Sequence, residues 1–178
     1  MIPICERSLV KLSGGDRRSI GRADEVALEI SSDPKLFSQV FDAVLSSDPV
    51  LRMRAVDAIE KATREHPELL QPYKRKIFQK TALIDQQEVR WHIALMLPRL
   101  DLTSTEKDLA ISILLDYLRH KSSIVKTCAM QGLADLAMKN AQLRKRVIPL
   151  LESLTENGTA AMRSRGRKLL ARFKRRSA

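Results

Sequence analysis

The same spacing of apolar residues recurs four times along this 178-residue chain, beginning at Leu51, Val89, Val125 and Met162, so that the period is 38, 36 and 37 residues. In each copy the positions +0, +4, +7, +8 and +11 are apolar or small: Leu51, Ala55, Ala58, Ile59, Ala62; Val89, Ile93, Met96, Leu97, Leu100; Val125, Ala129, Gly132, Leu133, Leu136; Met162, Gly166, Leu169, Leu170, Phe173. On a helix these positions form one stripe. A single helix pair cannot bury such a stripe, and units of this length stack so that each covers its neighbour. The residue after the first of each row is basic in every copy: Arg52, Arg90, Lys126 and Arg163.

Local signals divide each period into two helices. Ser32-Asp33-Pro34 and Ser47-Asp48-Pro49 place an N-cap aspartate before a proline at the first helical position, where the missing N–H would be unpaired anyway. Helices are expected at about 34 to 46 and 49 to 65, the second ended by His66-Pro67. The next pair reads as 69 to 84, with Tyr73, Ile77 and Phe78 inward, and 87 to 97, stopped by Pro98. Thr103 with Glu106 forms a capping box for a helix to about Arg119, followed by one from 123 to about 140. The last pair runs from about 142 to 156 and from 160 to 174, with a reversal at Asn157-Gly158 and a cap at Thr159. Upstream, Ser13-Gly14-Gly15 is a turn, and Ile20, Ala23, Ala27 and Ile30 form the stripe of one more helix, which would cap the open end of the stack.

The expected fold is all-α: a right-handed α-α superhelix of about four helix pairs with an N-terminal capping segment at 1–32 and repeats at about 33–66, 67–101, 102–140 and 141–175, in one domain. The second-helix pattern, apolar, then Arg or Lys, then small or apolar at +4, +7 and +8, preceded in the first copy by Ser47-Asp48-Pro49, resembles the HEAT repeat over about residues 33 to 175. The Gly14 to Arg22 stretch is also similar to the lead-in of small prokaryotic HEAT-repeat proteins without assigned activity. The resemblance implies a concave groove lined by the second helix of each pair. The family's turn aspartate stands only before Leu51; Gln86, Ser122 and Thr159 occupy the matching places, which weakens any Asp-Arg ladder between repeats.

Composition narrows the function. No stretch approaches the ~20 apolar residues of a membrane helix, and Glu6 and Arg7 interrupt the run a signal peptide would need, so the cytoplasm and no membrane partner are expected. Two cysteines exclude a disulfide framework. His66, His92 and His120 are scattered, with no spacing that pairs two ligands on a helix face, and no nucleophile elbow or phosphate loop occurs. No catalytic residue, metal or cofactor is expected. The net charge of +11 is concentrated: residues 142 to 178 hold 11 Lys or Arg against 2 acidic residues.

Three features are candidates for binding. Two glycines before Arg17, Arg18 and Arg22 can turn successive N–H groups toward an anion, although the same residues also suit an ordinary turn capped by Asp16. Trp91 lies opposite the buried row of its helix, and Met53, Val56, Leu95 and Met130 share the positions around it, which makes an apolar groove patch or simply a wider core. Arg163, Arg165, Arg167, Lys168, Arg172, Lys174 and Arg175 form a comb on the last helix that either grips phosphates or keeps the end of the stack soluble. These point to a non-enzymatic interaction module whose groove takes an anionic macromolecule such as nucleic acid. A protein scaffold with no nucleic-acid role is the main alternative. A lesser one follows from similarity to alkylpurine DNA glycosylases, which are built from HEAT-like repeats and use aromatic and acidic groove residues.

Overall fold

Asp33 and Asp48 each stand before a proline, and each opens a helical segment in the computed structural model, which describes residues 4–16 and 18–177. Asp33 Oδ1 accepts from the Lys35 N–H at 3.1 Å and Asp48 Oδ1 from the Val50 N–H at 2.8 Å. Helix runs through both halves of the chain, and there is no strand among the described residues. The chain divides into two compact units, residues 1–101 and 102–178. The division falls where the spacing places the start of the third repeat.

In the first unit the α-helices are α1 (Ile4–Leu12), α2 (Ala23–Ser32), α3 (Phe37–Ala43), α4 (Pro49–Glu65), α5 (Lys74–Gln79) and α6 (Gln87–Met96). Short 3-10 turns at Pro34–Leu36, Pro67–Tyr73, Thr81–Leu83 and Leu97–Arg99 connect or extend them. Helix α4 packs against α1, α2, α3 and α6 and is buried on every side over its middle, residues 53–60, with Met53, Ala55, Val56, Ala58, Ile59 and Ala62 in the core. Arg54, Asp57, Glu60 and Thr63 of the same helix are buried too. Full enclosure forces each of these polar groups to find a protein partner, because a buried one left unpaired costs about 1–3 kcal/mol.

Three expectations change here. The helix expected at 69 to 84 is broken into a 3-10 turn, α5 and a second 3-10 turn. Pro67 and Pro72 supply no N–H to the ladder, and Lys80 leaves helical backbone at φ −131°, ψ −66°. Ile20 is 45% exposed and precedes α2, whose buried stripe is Ala23, Val26, Ala27 and Ile30. Helix α1, which the spacing does not announce, packs on α2, α3 and α4, so the N-terminal segment wraps the central helix.

The second unit contains α7 (Ser104–Tyr117), α8 (Ser123–Met138), α9 (Ala141–Asn157) and α10 (Ala160–Ser177). The Thr103–Glu106 capping box is formed in both directions, Asn140 Oδ1 caps α9, and Thr159 Oγ1 receives the Met162 N–H at 3.4 Å. Helix α8 packs against α7, α9 and α10. At Gly166 a Cβ would stand 1.9 Å from Thr155 Oγ1 and 3.3 Å from Met130 Cε.

Of the four repeating rows, all residues but Leu51 and Leu170, which are half-buried, lie in the cores of their units. The basic residue at +1 has a structural role in three of the four copies. Arg52 donates to Ser46 O at 2.9 Å, Arg90 to Ile84 O at 3.3 Å and Arg163 to Gly158 O at 2.8 Å, so each ties its helix to the turn just before it. Gln86, one period after Asp48, links the two turns: Arg52 Nε donates to Gln86 Oε1 at 2.6 Å and Gln86 Nε2 to Pro49 O at 2.9 Å.

Candidate functional site

Gly14, Gly15 and Gly21 do adopt positive φ, at 71°, 71° and 58°, as the anion-loop reading requires. The polarity of the loop is the reverse of that reading. Its carbonyls, not its N–H groups, converge inward, and they enclose the Arg54 guanidinium of α4. Nε donates to Ser19 O at 3.0 Å, Nη1 to Leu12 O, Ser13 O and Gly14 O at 3.1, 3.3 and 2.6 Å, and Nη2 to Asp16 O at 3.1 Å. A Cβ on Gly21 would stand 2.9 Å from Arg54 Nε, and one on Gly15 would stand 3.2 Å from Nη2, so glycine is needed at both places for backbone conformation and for space. The loop is a cation receptor filled by the protein's own arginine.

The candidate anion ligands of this loop fare accordingly. Arg22 is committed to Glu25, with Nε and Nη2 at 2.6 and 2.8 Å from its carboxylate. Arg18 is exposed, with its backbone N–H held by Asp16 Oδ1 at 2.9 Å. Arg17 lies outside the described residues.

Behind the loop, α4 and α6 hold a buried cluster of charge. The Glu60 carboxylate, 1% exposed, receives Arg64 Nη2 at 2.6 Å and Arg99 Nη2, while Arg99 Nη1 also reaches Glu60 O at 2.7 Å and Thr63 Oγ1 at 3.0 Å. Burial pushes this carboxyl up, but the two guanidiniums bonded to it outweigh burial and hold it below the usual carboxylate range. Asp57 Oδ2 accepts from Lys61 at 2.7 Å. His92 Nε2 lies 3.5 Å from Asp57 Oδ1, and its Nδ1, 3.9 Å from Glu60 Oε2, is buried with no hydrogen-bond partner. Burial lowers the His92 pKa to about 4 against the pull of Asp57 and Glu60, so the ring is neutral at physiological pH. No group of His, Cys, Asp and Glu among the described residues is arranged to hold a metal.

A cavity of about 230 Å³ opens beside this cluster, walled by Arg18, Ser19 and Ile20 of the loop, Met53, Arg54 and Asp57 of α4, and Glu88, Trp91 and His92 of α6. Trp91 and Leu95 are half-buried. Met53 is buried but lines the cavity. Val56 and Met130 are fully buried, which corrects their assignment to a binding surface: α4 is enclosed all round at Val56, and Met130 packs toward Gly166 within the second unit. Asp57, Glu88 and Arg54 are the residues of this site that the apolar spacing does not reveal. The available signal was their number, since α4 carries Arg54, Asp57 and Glu60 between rows that are otherwise apolar.

The comb on α10 is split by its partners. On a helical projection Met162, Gly166, Leu169 and Phe173 form the buried stripe, and Arg165 and Arg172 flank it on the side of α8. Arg165 Nη1 donates to Gln131 Oε1 at 3.1 Å and Arg172 Nη1 to Asp135 Oδ1 at 2.9 Å, so both also serve packing of α10 on α8. Arg163 is tied to Gly158 O. Arg167, Lys168, Lys174 and Arg175 are exposed and have no side-chain partner among the described residues; the same holds for Lys145 and Arg146 on α9. The unit thus displays cations that its own fold does not consume. Among the described residues no helix is long and apolar enough to cross a membrane.

Comparison with known proteins leaves the chain on this physical description alone: no protein-family model matches it and no curated protein is similar to it.

Proposed function

We propose that the chain is a non-enzymatic HEAT-like module, a right-handed α-solenoid of about four helix pairs, that binds an anionic macromolecule such as nucleic acid. Polar contacts one period apart support the repeat reading: Arg52 with Gln86, Ser123 with Thr159 at 2.6 Å, Gln131 with Arg165, and Asp135 with Arg172. The observation that carries the function is the set of exposed cations on α9 and α10 that have no side-chain partner among the described residues, Lys145, Arg146, Arg167, Lys168, Lys174 and Arg175. Such groups neutralise phosphates and release counterions, giving affinity that falls with salt and does not depend on sequence.

The experiment is a salt series of binding to duplex DNA, RNA and heparin, for the parent and for a variant with Arg167, Lys168 and Arg175 changed to Gln. These three lack the internal partners that Arg165 and Arg172 have, so the fold is left intact. The expected result is weaker binding and a salt slope reduced by about 0.9 for each phosphate no longer neutralised. A parent that binds all three polyanions no tighter than about 100 μM at ~150 mM salt sinks the reading and leaves the protein scaffold in its place.

One observation favours a second reading, excision of an alkylated base from DNA: the carboxylates of Asp57 and Glu88 line one cavity with Trp91. Release of a methylated purine from alkylated DNA is the assay that would establish it.

A further inference from the structure

We infer that α10 lies in the major groove of a DNA duplex, one row of its cations on the phosphates of each strand, without reading the bases. The inference rests on the anionic-partner reading above and narrows that partner to B-form DNA. Helix α10 carries eight Lys and Arg and no Asp or Glu. Its apolar stripe, Met162, Leu169 and Phe173, is spent on the core of the unit and is not left for a lipid surface. Opposite that stripe runs a low crest of exposed small residues, Ala160, Ser164 and Ala171. The exposed cations that have no side-chain partner among the described residues stand on either side of it: Arg167 and Lys174 in one row, Lys168 and Arg175 in the other. Seven residues separate the members of each row, which is about 10.5 Å along the axis.

Two rows on opposite flanks of one helix suit a partner that offers phosphates on both sides of that helix at once. The major groove of B-form DNA does so: it is about 12 Å wide, and a helix with its side chains measures about 10–12 Å across. A crest of Ala and Ser keeps α10 slim on the side that enters, so the cations make the contact and the low crest lets them reach it. The major groove of A-form RNA is too deep and narrow for the same approach. A single strand presents one line of phosphates and is held largely by stacking on aromatic side chains, whereas Phe173, the one aromatic residue of α10, is buried. Base edges are read by residues such as Arg, Asn and Gln pointing into the groove. Ser164 is the longest side chain on the crest, so DNA sequence has little influence. Helix α9 is less suited, because its exposed Glu152 and Glu156 would face phosphates with the wrong sign.

The test is a fluorescence-anisotropy titration of labelled ligands with the full chain at ~50 mM salt. The ligands are two DNA duplexes of unrelated sequence, the RNA duplex matching one of them, a single DNA strand and heparin. The two DNA duplexes are expected to agree within about threefold and to bind at least about tenfold tighter than the RNA duplex or the single strand. Ser164→Leu combined with Ala171→Leu raises the crest without touching charge or core. This variant is expected to bind DNA duplex about tenfold more weakly, through steric exclusion, and heparin within about twofold of the parent, since a linear polyanion meets the cations from outside. The variant with Arg167, Lys168 and Arg175 changed to Gln is expected to lose affinity for both. The groove inference is overturned, with a polyanion-binding surface left standing, by equal affinity for DNA duplex, RNA duplex and single strand. A preference for one of the two DNA sequences by tenfold or more, or DNA binding unchanged by the raised crest, overturns it in the same way. Binding to neither nucleic acid nor heparin overturns the anionic-partner reading together with this one. If circular dichroism shows that the raised-crest variant does not fold, the comparison of DNA with RNA and single strand on the parent protein decides the matter by itself.

Discussion

The two units carry the same number of basic residues and use them in opposite ways. Residues 1–101 hold 16 Lys and Arg against 15 Asp and Glu, whereas residues 102–178 hold 16 against 6. In the first unit the charges turn inward: Arg54 fills a cage of carbonyls, Arg64 and Arg99 close on Glu60, Lys61 joins Asp57, and Lys11 bridges Glu25 and Glu29. In the second unit the core is apolar; Arg144, Arg165 and Arg172 bond to the protein, while Lys145, Arg146, Arg167, Lys168, Lys174 and Arg175 stay outside. Equal numbers of basic residues therefore build structure in one place and leave charge for a partner in the other. The physical cause is α4, which is enclosed on all sides over its middle and so must satisfy every polar side chain it carries there, while α10 buries a single stripe and leaves the rest of its circumference to solvent.

If that contrast is right, removing Arg54 has the largest effect on stability. Arg54→Met keeps the bulk of the stem but leaves the carbonyls of the loop without their common donor, and a loss of about 3–5 kcal/mol is expected. Denaturant unfolding followed by Trp91 fluorescence should show a midpoint that falls further than the loss of helix signal for the whole chain. A change below about 1 kcal/mol would mean that the cage is an incidental contact and that the loop is held by something else.

The second test concerns pH, and it too singles out the first unit. The folded-state pKa of His92 is depressed from 6.5 to about 4, so above 6.5 the residue is neutral in both states and costs nothing. As pH falls from about 6.5 to about 4 the unfolded chain takes up a proton that the folded one refuses, and stability declines by about 3 kcal/mol over that window. His92→Gln removes the titrating group, so its stability should be nearly flat from about pH 6.5 to about 5 and fall below that, where the unfolded chain protonates carboxylates that the folded one holds ionised at Glu25, Glu29 and Glu60. A parent chain with no decline between pH 6.5 and 4 would show that the ring is more accessible than its surroundings indicate.

Why the repeating rows were legible and the cavity was not is a matter of range. A row such as Val125, Ala129, Gly132 and Leu133 is written in spacings of three and four residues, which a helix converts directly into one face. Asp48, Thr103 and Thr159 act on N–H groups two or three residues away, so their roles are local as well. Arg54 has no such signal. Its partners are backbone carbonyls 35 to 42 residues upstream, and carbonyls are present at every position of any sequence. The Gly14-Gly15 loop shows the same limit: the glycines foretell positive φ, but whether the loop presents N–H or C=O to its interior depends on what it folds against. The broken segment at 67–83 was foreseeable from Pro72, whose consequence the apolar pattern of Ile77 and Phe78 obscured.

Within the second unit the contrast predicts sensitivity to packing in place of charge. Gly166→Ala puts a methyl group 1.9 Å from Thr155 Oγ1 where the two helices have no slack, and a loss of about 1–3 kcal/mol is expected. The Thr155→Ala change should relieve most of it in the double variant, because the two sites are coupled through that one approach. Thermal melting by circular dichroism gives the comparison, and additive losses in the double variant would place the strain elsewhere.

The smallest effect on stability belongs to the residues with the largest expected role in binding. Replacing Arg167, Lys168 and Arg175 by Gln breaks no side-chain pairing, since each is exposed and without a side-chain partner, so each change should stay within about 0.5 kcal/mol. The sign is expected to be stabilising, because a unit with ten more basic than acidic residues repels itself and every cation removed reduces that repulsion. Added salt tests the same point without mutation. Going from about 0.05 M to about 0.5 M should raise the stability of the parent more than that of the variant, by screening exposed charges that the variant lacks, while the inward-facing pairs around Glu60 respond little. If the variant is instead destabilised by more than about 1 kcal/mol, the α10 cations hold the fold together, and the separation between charges that build and charges that bind disappears.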